Sequence, residues 1–140
     1  MWNVHGTDMR RGALLVAVVL AATVRVVLAH HSFAVFDHEH RITLTGTITK
    51  FEWANPHVYI ELEIADGNGG TKRYGVECAS PNVLKRVGWK FNDLKPGDKV
   101  TLLINPLRNG EPLGMLEMAT LPDGRKLFDG NPPGGVVPRQ

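Results

Sequence analysis

The chain has 140 residues, enough for one small domain with a single hydrophobic core. Three of its 16 Lys and Arg residues and one of its 14 Asp and Glu residues precede residue 30, so the remaining chain carries 13 of each and is formally neutral. A nucleic-acid-binding domain normally has a clustered basic excess, so this balance argues against a nucleic-acid partner.

Residues 1–29 have the pattern of a signal peptide. Arg10 and Arg11 precede an apolar run that is too short to span a bilayer comfortably, and Val27 and Ala29 supply apolar or small residues before a cleavage site. We therefore expect export to the periplasm or outside the cell, cleavage after Ala29 and no stable membrane span afterwards. An uncleaved N-terminal anchor is the alternative.

The first predicted strand starts at Arg41 and carries a change of phase. Its apolar residues alternate up to Ile48 and continue at the opposite parity from Phe51. An inserted residue explains such a shift, so we predict a β-bulge near Thr49 and Lys50.

Two further strands follow. Alternation from Val58 to Ile64 predicts the second strand, joined to the first by a loop at Asn55-Pro56-His57. A Gly-rich turn at residues 66–70 leads to the third strand, in which Tyr74 and Cys78 share a face. Cys78 is the only cysteine, so we expect a small buried hydrophobic side chain and no intramolecular disulfide.

A short helix is predicted next. Ser80-Pro81 suits its start, because Ser is a preferred N-cap and Pro has no N–H to leave unpaired. Val83, Leu84 and Val87 form an apolar stripe at helical spacing, and Trp89 lies just beyond the helix, where it can fold back on that stripe.

The rest of the chain predicts more strands. A Pro-Gly turn at residues 94–98 leads to a fourth strand that alternates from Val100 to Ile104. A fifth strand, of irregular alternation, is predicted from Met115 to Leu121, and a short one at Lys126–Phe128. Residues 130–140 are rich in Pro and Gly and are predicted to be a disordered tail.

This order of elements predicts a mainly β fold. Residues 30–129 are expected to form a small five-stranded OB-like barrel with one short helix between strands 3 and 4, preceded by the signal peptide. A β-sandwich is the alternative. OB barrels bind several unrelated classes of ligand, so the fold alone does not assign a function.

Several motifs resemble a known family. His30-His31-Ser32-Phe33, Asn55-Pro56-His57 and Gly88-Trp89 together resemble a family of small exported bacterial OB-like proteins of unknown function. The resemblance implies a periplasmic or secreted one-domain barrel and no particular reaction. Cys78 and the residues 38–40 depart from the family's pattern, so a function built on them would be particular to this chain.

Histidines are the most informative polar residues. After cleavage at Ala29, His30 would offer an α-amine and an imidazole, and His57 lies in a loop at the rim, where OB barrels bind ligands. Nitrogen donors suit Cu(II), so we predict a metal site formed by His30, His31 and His57, with a copper ion as the candidate cofactor. The alternative is that these histidines are structural or simply exposed, since no zinc signature accompanies them.

The rim loop is also the predicted general ligand site, with Trp53, Asn55 and His57 as its ligand-binding residues. Five aromatic residues could form a platform that stacks on sugars or bases, but most are expected to lie in the core or to seal the ends of the barrel; they are Phe51, Trp53, Tyr59, Trp89 and Phe91. The predicted function is therefore an exported binding module. The alternative is a protein–protein or envelope-assembly module with an envelope protein as its partner.

Catalysis is not expected. The chain has no Gly-x-Ser-x-Gly nucleophile motif, and Gly67-Asn68-Gly69-Gly70 lacks the Lys of a phosphate-binding loop. Carboxylates at outward strand positions are expected to be solvated. They are Glu52, Glu61, Glu63 and Glu77.

Overall fold

The computed structural model describes residues 34–130. The predicted signal peptide, His30, His31 and residues 131–140 of the predicted tail lie outside the described residues. Residues 36–130 belong to one compact unit, which contains all the elements below. Within the described part, no helix is long and apolar enough to cross a bilayer.

The secondary structure follows the predicted order, with three strands before a short helix and three after it. The elements are β1 (Ile42–Glu52), β2 (Tyr59–Ala65), β3 (Thr71–Glu77), α1 (Pro81–Arg86), β4 (Lys99–Pro106), β5 (Leu113–Thr120) and β6 (Lys126–Phe128).

The strands form one closed barrel. Their order in the sheet is β3-β2-β1-β4-β5-β6, and a parallel pairing of β3 with β5 closes the first five strands on themselves. All other neighbours are antiparallel. This arrangement confirms the predicted five-stranded OB-like barrel with a short helix between strands 3 and 4.

Strand β1 bends as its sequence predicts. The register with β2 passes from Ile48 opposite Leu62 to Lys50 opposite Glu61, which leaves Thr49 as the bulged residue. A bulge increases the local twist and lets one strand pair with two neighbours around a barrel. The strand also needs Gly46, because a Cβ atom there would overlap the backbone oxygen of Glu63.

A second bulge explains the irregular alternation of β5. Leu103 faces Met118, whereas the next residue of β4, Ile104, faces Leu116. Glu117 is therefore the extra residue, and the inward positions change parity across it. Leu116 and Ala119 are buried as a result.

The inward residues of all five barrel strands form one core, which Trp89 closes at the helical end. The backbone N–H of Trp89 donates to Leu84, and its indole Nε1 donates to the Phe128 oxygen at 2.8 Å. Trp89 is 2% exposed, so the prediction that it folds back on the helix is confirmed.

The predicted apolar stripe of α1 is wrong at one residue. Pro81 and Leu84 are buried, whereas Val83 is 37% exposed. A helix of six residues presents only one side to the barrel, and Val83 lies about 100° around the axis from Leu84. Ser80 is at the N-cap position as predicted, although its side chain makes no capping hydrogen bond.

Candidate functional site

The loop between β1 and β2 places His57 beside the end of β3. Val58 accepts a hydrogen bond from the Cys78 N–H at 2.8 Å and donates to the Ala79 oxygen at 3.2 Å, so the β2–β3 ladder continues past Tyr59. His57 and Tyr59 are two residues apart in this extended segment and share the outer side of the barrel. The Asn55–Pro56 peptide bond that precedes them is cis.

Glu77 joins these two side chains. It lies opposite Tyr59 in the antiparallel ladder, and its Oε2 accepts a hydrogen bond of 3.0 Å from the Tyr59 hydroxyl. Its Oε1 contacts Nδ1 of His57. The Glu77 side chain is 16% exposed, so the expectation of a solvated carboxylate is wrong for this residue.

The contact with Glu77 orients the His57 ring. Glu77 Oε1 lies against Nδ1, and because a carboxylate only accepts hydrogen bonds, the neutral tautomer with its proton on Nδ1 suits this contact. In that tautomer Nε2 keeps its lone pair, with no partner for it among the described residues. The His57 side chain is 41% exposed, which leaves the imidazole accessible from solvent.

Tyr59 is a stable hydrogen-bond donor. Burial, and secondarily the hydrogen bond to Glu77, raise the pKa of Tyr59 to about 12. The phenol therefore stays protonated over the whole physiological range and keeps one oxygen of Glu77 occupied.

A second carboxylate lies near Glu77. Asp129 follows β6, and its Oδ1 accepts a hydrogen bond of 2.6 Å from the Ala79 N–H. Burial raises the pKa of Asp129 to about 7, the negative charge of Glu77 adds to the shift, and the Ala79 hydrogen bond opposes it. Asp129 thus ties the end of β6 to the start of the helix with a group that titrates near neutral pH.

A shallow depression adjoins Tyr59 on the outer face. Its volume is about 140 Å³, and it lies over Gly75, where the strand has no side chain. It is smaller than the roughly 300 Å³ at which pockets begin to hold a drug-sized ligand, so it fits no more than a small group. The lining residues are Lys50, Glu52, Tyr59, Ile60, Glu61 and Gly75.

The predicted ligand residues of the rim loop have different surroundings. His57 takes part in the cluster with Glu77 and Tyr59. Asn55 is exposed, whereas Trp53 is partly buried, with its ring edge-on to Phe51 at a centroid distance of 5.8 Å. His30 and His31, the other predicted metal ligands, lie outside the described residues.

The described part of the chain supplies an incomplete metal-ligand set. Among residues 34–130, no group of three His, Cys, Asp or Glu side chains could hold a metal ion. Glu77 is already engaged with Nδ1 of His57, and Asp37 is engaged in the same way with Nδ1 of His40, so two separate imidazoles are each oriented by a carboxylate. Cys78 is buried as expected, and burial raises the pKa of its thiol well above the usual value.

Sequence reasoning missed Glu77 and Asp129. The sequence places Glu77 at the end of the third predicted strand, which follows the strand that begins after His57. Only the register between these two strands shows that Glu77 faces Tyr59. Asp129 lies 50 residues from its partner Ala79 and carries no motif.

Comparison with models of protein families identifies the family of this chain. A family of unknown function, DUF6152, matches residues 16–117, which is well over half of the sequence. The chain belongs to this family. No curated protein gives a significant match. The DUF6152 match includes His57, Tyr59 and Glu77 but ends before Asp129, so Asp129 lies outside the matched segment.

Proposed function

We propose that this DUF6152 protein is an exported binding module, periplasmic or secreted, that binds Cu(II) or a similar transition-metal ion through Nε2 of His57. The observation that carries the proposal is the contact between Glu77 and Nδ1 of His57. Histidines that bind metals usually donate their other ring N–H to a carboxylate or carbonyl, which fixes the ring and increases its basicity.

The outer face supports a bound cation in a second way. Glu77 contributes a negative charge next to the imidazole, and Asp129, which interacts electrostatically with Glu77 and has a pKa of about 7, adds a partial negative charge at neutral pH. A metal ion on Nε2 would be stabilised by this charge without displacing Glu77 from Nδ1. Imidazole nitrogen suits Cu(II), Zn(II) and Ni(II), and Cu(II) forms the most stable complexes of that series.

One imidazole does not hold a Cu(II) ion tightly, so the proposal needs further ligands. The sequence-based prediction supplies them as the imidazoles of His30 and His31 and the α-amine that cleavage after Ala29 would create. These ligands stay a prediction, and the titration below tests each of them.

We propose binding and not catalysis. The cluster of His57, Glu77 and Tyr59 resembles part of a general-base arrangement, but a nucleophile would have to complete it. Cys78 is buried, and its raised pKa disfavours the reactive thiolate. The Tyr59 hydroxyl is itself a poor nucleophile while it donates to Glu77.

The test is a Cu(II) titration of protein recovered from a bacterial periplasm, with its N-terminus read by intact mass. Affinity is measured in competition with a chelator for the wild type and for His57→Ala, His30→Ala and His31→Ala. His40→Ala is the matched control, because the His40 ring is also exposed and also pairs through Nδ1 with a carboxylate, Asp37, but His40 is not one of the predicted metal ligands. The proposal predicts weaker binding for His57→Ala and no change for His40→Ala; equal binding by both would contradict it.

The alternative is an envelope-assembly module that has no small ligand. Exposed aromatic residues around Trp53, Tyr59 and Trp89 would favour it. Trp89 is 2% exposed, and Trp53 packs on Phe51, so of these three only Tyr59 presents much of its ring to solvent. Metal binding therefore has the more specific support.

A further inference from the structure

Phe91 is the most exposed large apolar side chain of the described residues, at 70%. It lies between α1 and β4, on the turn that follows Trp89. Single exposed apolar residues are common on protein surfaces and need no explanation by themselves. Two further features of this turn set Phe91 apart.

First, hydrogen bonds hold the turn closed with Phe91 at its corner. The N–H of Lys90 donates to Asp93 Oδ2 at 2.6 Å, and the N–H of Asp93 donates back to the Lys90 oxygen at 3.1 Å. Arg125 donates to the other oxygen of Asp93 at 3.0 Å. Trp89 and Leu94, on either side, are anchored in the core. The exposure of Phe91 is therefore built into the fold.

Second, the residues around Phe91 carry unopposed positive charge. Lys85, Arg86 and Lys90 are exposed, and none of them forms an ion pair within residues 34–130. The hydrogen bond from Trp89 to the Leu84 oxygen brings the turn back to the end of the helix that carries Lys85 and Arg86. The nearby Asp93 pairs with Arg125, which also pairs with Asp123, so these three side chains offset only one of the three positive charges.

We propose that these four residues, Lys85, Arg86, Lys90 and Phe91, form a surface that docks on an anionic phospholipid membrane. The three cations bind lipid phosphates, and Phe91 enters the boundary between headgroups and acyl chains. A single aromatic ring on a convex turn suits a fluid lipid layer. A stable protein interface would need a larger complementary patch. This surface lies at the helical end of the fold and is independent of His57.

The test is co-sedimentation of the full chain, as recovered after export, with phosphatidylcholine vesicles that contain or lack phosphatidylglycerol. We expect binding to the anionic vesicles, little binding to the neutral ones, and loss of binding at high salt. An apolar N-terminal segment, if retained, would bind both vesicle types, so dependence on phosphatidylglycerol isolates the proposed surface.

Variants separate the apolar contribution of Phe91 from the electrostatic contribution of the cationic residues. Phe91→Ser should lower the partition coefficient on the order of tenfold, and Phe91→Leu should retain most of the binding. Lys85→Ser with Arg86→Ser should also lower it on the order of tenfold. Lys72→Ser with Arg108→Ser is the matched control, since it removes the same charge from other exposed positions.

The proposal would be overturned if the control pair lost as much binding as the Lys85 and Arg86 pair, or if Phe91→Ser bound as well as the wild type. Either result would show non-specific charge attraction. Binding of polyglutamate through Lys85 and Arg86, without any binding to anionic vesicles, would also overturn it and would indicate an acidic protein partner. Circular dichroism and urea unfolding of each variant confirm that the fold is intact.

Discussion

Glu77 and His57 form a carboxylate–imidazole pair in which Glu77 Oε1 lies against Nδ1 of a ring whose side chain is 41% exposed. The pair exists because the register of β2 and β3 places Glu77 opposite Tyr59. Tyr59 lies two residues after His57, so both side chains reach Glu77. One carboxylate thus orients a histidine and a tyrosine on the outer face of the barrel.

Glu77→Gln tests the orienting role of this carboxylate. The amide is similar in size, so the barrel should stay folded, but the charged acceptor of His57 is lost. We expect Cu(II) affinity to fall about 10- to 100-fold, the usual effect of removing such a partner from a metal-binding histidine. Glu63→Gln is the matched control, because Glu63 faces Arg73 in the same ladder and does not contact His57. A similar loss of Cu(II) affinity in both variants would show that the effect comes from general surface charge and not from the orientation of His57.

Asp129 should make the stability of the barrel depend on pH. Its folded pKa is about 7, above the ordinary value of 3.8, so the folded state binds the proton more tightly than the unfolded state does. The contribution of Asp129 is therefore fully present below about pH 4 and is lost as pH rises towards and through 7. Between pH 5 and pH 7.5 we expect its contribution to the free energy of unfolding to fall by about 2 to 3 kcal/mol.

Urea unfolding of wild type and Asp129→Asn at these two pH values measures the effect. The amide oxygen can still accept from the Ala79 N–H, so the variant should fold. The difference between the two proteins cancels the other titrating groups. A pH dependence that is unchanged by the substitution would show that Asp129 does not titrate in this interval.

Trp89→Phe tests how the helical end of the barrel is closed. The substitution removes the 2.8 Å hydrogen bond to Phe128 and leaves a cavity at a residue that is 2% exposed. We expect a loss of about 2 to 4 kcal/mol in the free energy of unfolding. Trp53→Phe, at a partly buried position, should cost distinctly less. Equal costs would mean that Trp89 does not anchor this end.

Two glycines of the barrel, one in β1 and one in β3, should respond differently to alanine. At Gly46 a Cβ atom would overlap the backbone oxygen of Glu63, which cannot move without breaking the ladder. At Gly75 the nearest atom is the flexible end of Leu113, 3.0 Å away. We expect Gly46→Ala to cost about 2 kcal/mol or more and Gly75→Ala less than about 1 kcal/mol. Thermal unfolding of both variants measures these costs. A larger loss of stability in Gly75→Ala than in Gly46→Ala would contradict the packing described for the two glycines.

The fold could be predicted because its strands alternate clearly and its turns carry Gly and Pro at the expected places. The bulge at Thr49 was visible as a change of parity before and after it. The bulge at Glu117 was visible only as irregular alternation, since the sequence around it offers apolar residues at both parities. Val83 was misassigned because a helix of six residues is too short for a stripe to define its buried side.

Only part of the candidate site could be predicted from the sequence. His57 could be found from its place in a rim loop. Glu77 could not, because an outward carboxylate in a strand is normally solvated, and its partner depends on cross-strand register. Asp129 was hidden for the same reason, since its environment comes from residues distant in the sequence.

The most direct test of the account is pulsed EPR of the Cu(II)-loaded protein, which detects the remote nitrogen of a coordinated imidazole. If Nε2 of His57 binds the metal, the remote nitrogen is Nδ1, which lies against Glu77. The account predicts a remote-nitrogen signal that loses intensity in His57→Ala and changes its coupling in Glu77→Gln. Spectra that are identical in the wild type and both variants would show that copper binds elsewhere, and the central claim would be wrong.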